Sequence, residues 1–91
     1  MLFASAAIAL ADPPPGCTTA DLARVQSGVS DATANYLFAH PDVNNFFTGL
    51  KGQSRDTQRT NAQNYLNANP QIQADLQGIR QPLVDLKARC Q

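Results

Sequence analysis

Two tyrosines and one histidine occupy the chemically distinctive positions of this chain. Tyr36 and His40 sit in "NYLFAHP" (35–41). Tyr65 sits in "NYLNANP" (64–70), which matches the first stretch at five of seven residues and has Asn69 where the first has histidine. Tyr36 and His40 are one helical turn apart, so their side chains can meet on one face. A phenolate is a hard, anionic oxygen donor that suits ferric iron, and tyrosine is among the axial ligands of haem iron. A free phenol has a pKa of about 10, so ligation needs the metal or a hydrogen-bonding neighbour to favour the deprotonated form. His40 can be that neighbour, or can itself approach the iron or the porphyrin face. Phe38, Phe46 and Phe47 are near in sequence and offer rings for stacking on a macrocycle. On spacing alone, two helix corners with core tyrosines suffice to account for the repeat and are the simpler reading.

Other chemistries are poorly supplied. His40 is the only histidine, glutamate is absent and there are two cysteines. No nucleophile–base pair of recognisable spacing exists, and the chain reads as a non-enzyme. Zinc sites want three or four protein ligands, and neither a "CxxCH" haem-attachment motif nor a glycine-rich phosphate loop occurs. Seven basic residues balance seven aspartates. No segment concentrates positive charge, so nucleic acid and anionic membrane surfaces are not expected partners.

The elements that must place these residues are helical. Thr18 with Asp21 resembles a capping box. After it, Leu22, Val25, Val29, Ala32 and Tyr36 recur at steps of three and four, an amphipathic helix that Pro41 should end near Ala39. Pro41 can start a second helix with an apolar face of Val43, Phe46, Phe47 and Leu50, closed by Gly49 and Gly52. Ser54 is an N-cap candidate for a third helix reaching about Ala68, polar apart from Ala62, Tyr65 and Leu66. Asn69 and Pro70 open the last segment, whose stripe is Ile72, Leu76, Ile79, Leu83, Leu86 and Cys90. Gly78 and Pro82 should kink or break it. The expected fold is all-α, a small bundle of four or five short helices joined by proline-containing corners.

"MLFASAAIALA" (1–11) is apolar and uncharged and ends in a small-x-small pattern before Asp12. It reads as the remnant of a secretory signal peptide whose basic n-region is missing, as if the start codon were placed too late. A disordered apolar terminus or a short buried helix is the alternative. Export would leave the protein secreted or in the cell envelope, with "DPPPG" (12–16) as an extended spacer and 17–91 as one domain. Cys17 and Cys90 lie near the two ends of that domain, and in an exported protein a disulfide between them is the default. The "PPG" before Cys17 lacks the residues of a lipobox.

An early cysteine, "YLFAHPDVN", "YLNANPQIQADL" and "QPLVDLKARC" follow one another in this order. In this the chain resembles the mycobacterial haemophore-related proteins, small secreted all-helical domains that bind haem, and the resemblance covers 17–90. It implies a carrier that holds ferric haem reversibly and without a covalent bond, for haem acquisition or transfer. The tyrosine and histidine that the family associates with haem binding match Tyr36 and His40. Tyr36 would be the axial ligand to haem iron, and His40 its hydrogen-bond partner or a second contact. The family's second histidine is replaced here by Tyr65, an opposing contact. Arg55 and Arg59 are candidates for the propionates, although a solvated helix face is the simpler reading. Partners beyond haem would be a second copy of the chain and a membrane haem-uptake protein. The rival is a cofactor-free cell-envelope interaction module, dimeric through its apolar stripes.

Overall fold

The computed structural model describes residues 13–91, so the expected export segment at 1–11 lies outside the described residues. Four helices follow in chain order. They are α1 (Thr19–Ala39), α2 (Pro41–Thr48), α3 (Arg55–Ala68) and α4 (Pro70–Arg89). Among the described residues there is no strand, and no helix is long and apolar enough to cross a membrane. The all-α expectation is borne out, with four helices.

Local chemistry sets the helix boundaries. At α1 the capping box is complete. Thr18 Oγ1 accepts from the Asp21 backbone N–H at 3.2 Å, and the Thr18 N–H donates to Asp21 Oδ2 at 3.0 Å. The Thr18 hydroxyl also donates to Asp21 Oδ2 at 2.7 Å, and this bond first, then the one from the Thr18 N–H, holds the Asp21 carboxyl below its usual pKa. Ser54 caps α3 by accepting from the Thr57 N–H at 3.2 Å. The loop before it turns at Gly52, whose φ of +89° is costly for any residue with a Cβ. Gln58 then ties the start of α3 to that loop, donating to the Leu50 and Gln53 carbonyls at 2.9 and 3.2 Å.

Two expectations are refined. Of the kink or break expected at Gly78 and Pro82, the break does not occur, and α4 runs 20 residues with Pro82 inside it. Pro82 removes a donor from the carbonyl of Gly78, but both residues are on the exposed face, so water can satisfy the orphaned oxygen. The spacer is also not extended to its end. The Cys17 N–H bonds the Pro14 carbonyl at 3.0 Å and Gly16 has φ +83°. Pro15 and Gly16 thus take the two central positions of a tight turn.

α1 and α4 are the main packed pair, with α2 against α1 and α3 against α4. The pair is antiparallel. Cys17, ahead of α1, is bonded to Cys90, behind α4, with the Cα atoms 5.6 Å apart. At the opposite end the Tyr36 hydroxyl donates to Asp75 Oδ2 at 3.0 Å. Only Val43 and Leu86 are buried among the described residues, at 1% and 4% exposure, while Phe38 is 78% exposed. Helices that bury so little apolar surface gain little from the hydrophobic effect, so the bond at their free ends has a large share in stability. Replacing Cys17 and Cys90 by serine is expected to lower the unfolding free energy by about 4 kcal/mol, the loop-entropy value for a closure this long. Urea unfolding of the oxidised protein and the double variant, followed by circular dichroism, measures it.

Candidate functional site

The two copies of the repeat fold into the same corner. His40 and Asn69 close α1 and α3 with nearly identical backbone angles, φ −129° and ψ 76° against φ −132° and ψ 71°. Each bonds its backbone N–H to the carbonyl three residues earlier, Leu37 and Leu66, at 3.1 Å. Each side chain also reaches the carbonyl of the tyrosine four residues back. His40 Nδ1 meets the Tyr36 oxygen at 2.8 Å, and Asn69 Nδ2 donates to the Tyr65 oxygen at 2.8 Å. Proline then starts the next helix in both. The repeated letters therefore encode a cap in which one side-chain N–H satisfies a carbonyl left over at the helix end.

That cap fixes the chemistry of His40. A carbonyl oxygen can only accept, so Nδ1 must carry the proton, and the neutral imidazole keeps its lone pair on Nε2. Metal-binding histidines are commonly oriented this way, one nitrogen held by a carbonyl and the other free to ligate. The His40 ring stacks on the Tyr36 ring with centroids 4.0 Å apart and planes 22° from parallel.

The Tyr36 hydroxyl is held by Asp75 of α4 and not by His40, which meets the tyrosine by stacking and through its backbone carbonyl. Asp75 is braced in turn, since its Oδ1 accepts from Gln71 Nε2 at 2.8 Å. The Tyr36 phenol pKa is raised above its ordinary value. Partial removal from water is the leading cause, followed by the hydrogen bond to Asp75, the charges of Asp75 and Asp42, and Tyr65. In the free protein, Tyr36 is therefore a neutral hydrogen-bond donor.

Tyr65 belongs to a second aromatic group. It stacks on Phe46 at 3.8 Å and 8°, while Phe47 stands edge-on to both, at 6.0 Å from Tyr65 and 5.1 Å from Phe46. Of the three phenylalanines near the first corner, Phe38 is apart on the surface, because its position on α1 is turned well away from that of Tyr36. Arg55 and Arg59 are exposed at the start of α3, and Arg59 is 4.0 Å from Asp56. They form the solvated face, where an ion pair is worth at most about 1 kcal/mol.

Asp75 was not singled out by the sequence reading, because it is 39 residues from Tyr36. A signal existed in the cysteines. Equal-rise counting inward from Cys17 and Cys90 sets Tyr36 opposite Gln71, one turn from Asp75.

The comparisons with known proteins bear on this arrangement. The model of the haemophore, haem-binding family matches residues 15–91. The chain belongs to the haem-binding haemophore family. It is also 32% identical, over 75 residues, to heme-binding protein Rv0203 of Mycobacterium tuberculosis, a match covering 81% of this chain and 55% of that relative. The chain thus spans about half the length of the curated relative it matches. No solved structure matches it. The family resemblance read from the three sequence blocks is borne out.

The raised phenol pKa gives this haemophore-family fold a pH signature. A folded state that holds a proton more tightly than the unfolded chain loses stability as pH rises above the unfolded pKa, here about 10. Melting temperatures of the parent chain should therefore fall as pH rises past about 10. Tyr36→Phe, with no proton to lose at this position, should show a shallower fall, and parallel curves would refute the assignment.

Proposed function

We propose that this chain is an exported, non-enzymatic carrier that binds ferric haem reversibly and non-covalently, for haem acquisition or transfer. The observation that carries the reading is the first corner. Its helix cap leaves His40 Nε2 free beside a half-buried tyrosine whose hydroxyl already has a proton acceptor within 3.0 Å. Family membership and the name of the mycobacterial relative support haem as the ligand.

The donor set fits the group. Ferric haem, when bound, supplies a hard Lewis-acidic metal with open axial positions. Tyr36 offers the matching hard oxygen, and His40 offers either a nitrogen donor through Nε2 or a ring surface against the phenol. Asp75 orients the phenol and accepts its hydrogen bond. The phenol keeps its proton in the free protein, so ligation through the phenolate displaces it. Affinity should therefore weaken toward low pH, which provides a route to release. Tyr65, buttressed by Phe46 and Phe47, is an assisting aromatic contact.

A second copy of the chain and a membrane haem-uptake protein complete the proposed partners. Self-association is favoured by the small core and the exposure of Phe38 and Val84. Equilibrium sedimentation of the parent chain tests it, and a monomer at all concentrations would exclude the dimer.

Haemin titration followed by absorbance tests the carrier. The parent chain should give a saturable Soret shift, whereas the cofactor-free interaction module gives none. His40→Asn keeps the cap, as Asn69 does in the second corner, so its fold should be intact and any lost affinity reports the imidazole. Tyr36→Phe should weaken haemin binding at least tenfold, the loss of about 1.4 kcal/mol or more. Unchanged haemin affinity in the Tyr36→Phe, His40→Asn double variant would sink the ligand assignment.

A further inference from the structure

Phe47 has a second role beside its edge contact with Tyr65. Together with Thr33, Leu37, Leu66, Leu76 and the exposed Arg80 it lines a partly open cavity of about 400 Å³ to which all four helices contribute. That volume is within the range of small-molecule sites. Phe47, which lines it, also stands edge-on to Tyr65, so the cavity borders the second aromatic group.

Two polar side chains interrupt an otherwise apolar lining. The Thr33 hydroxyl is committed, donating to the Val29 carbonyl at 2.7 Å. Arg80 is not, since no carboxylate among the described residues lies within ion-pair distance of it. On the same helix, Asp75 is engaged by Tyr36 and Gln71, and Asp85 by Gln81. An apolar cavity bordered by one unpaired guanidinium selects an apolar body that carries an anion. The planar fork of arginine suits a carboxylate in particular.

We propose that this cavity receives the carboxylate-bearing edge of the porphyrin, with Arg80 pairing a propionate. The proposal rests on the haem-carrier reading. It gives to Arg80 the role for which the sequence offered Arg55 and Arg59. A purely structural role is the competing account, in which the aliphatic stem of Arg80 covers Leu76 one turn away and the charge does nothing. Arg80→Met separates the two, because it keeps a long apolar stem and removes the charge.

The test uses metal-free protoporphyrin and its dimethyl ester, titrated into the full chain and followed by porphyrin fluorescence. The parent chain should bind the diacid saturably and the ester more weakly. Arg80→Met should weaken the diacid about tenfold, the scale of one charge-assisted pair, and leave the ester unchanged. Arg80→Lys should recover part of the loss, since it restores a cation without the planar fork. Equal affinity for diacid and ester, or an Arg80→Met variant that binds the diacid like the parent, would overturn the proposal. So would displacement of the diacid by equimolar laurate, which would reassign the cavity to a fatty-acyl carboxylate. The two readings can fail separately. Haemin binding that needs Tyr36 alongside diacid binding that ignores Arg80 removes only the cavity assignment. The reverse pattern removes only the axial ligand.

Discussion

The antiparallel pairing of α1 with α4 is the constraint on which everything else depends, and it is secured at its two ends. At one end is the covalent bond between Cys17 and Cys90. At the other, the Tyr36 hydroxyl is bonded to Asp75. Between these ends the packing is thin, with Val43 and Leu86 the only buried residues among those described. The short helices α2 and α3 pack on the outside of this pair, each against the long helix that adjoins it through a proline corner. The covalent end is permanent under oxidising conditions. The tyrosine end consists of one hydrogen bond, worth about 1.5–3 kcal/mol when a charged acceptor is involved.

Fold and site therefore share an atom. The oxygen proposed to meet iron is the same oxygen that joins α1 to α4, and any ligand that takes it competes with Asp75. Asymmetry between the corners follows from this. The first corner has a tyrosine bonded across the helix pair and a histidine stacked on it, whereas the second has its tyrosine packed against Phe46 and capped by an amide.

Much of the fold was legible in the sequence because its signals are local. Thr18 with Asp21, Ser54, and the prolines at 41 and 70 each act within one turn, and each marks a helix end in the structure. Whether Pro82 breaks its helix depends on solvent context, which is set by tertiary packing, so its neighbours in sequence do not decide it. Within the site, Tyr36 and His40 were visible as an i, i+4 pair, but their relation was not. A sequence shows that two side chains can meet and says nothing of which atoms do. The ring stacking and the cap on the Tyr36 carbonyl are local to the end of α1, whereas the capture of the hydroxyl by Asp75 is settled by packing across helices. Arg80 was invisible for the same reason, since the four-helix cavity beside it has no counterpart in linear spacing.

The shared corner geometry has a consequence for how such a protein can change over time. Positions 40 and 69 ask only for a side-chain N–H that can reach the carbonyl four residues back, and both imidazole and carboxamide satisfy that demand. Asparagine and histidine codons differ by a single base. A donor nitrogen can therefore be gained or lost at either corner with little penalty to folding. The scaffold is robust while its ligand inventory is free to drift, so descendants of one fold can diverge in what they hold before they diverge in shape.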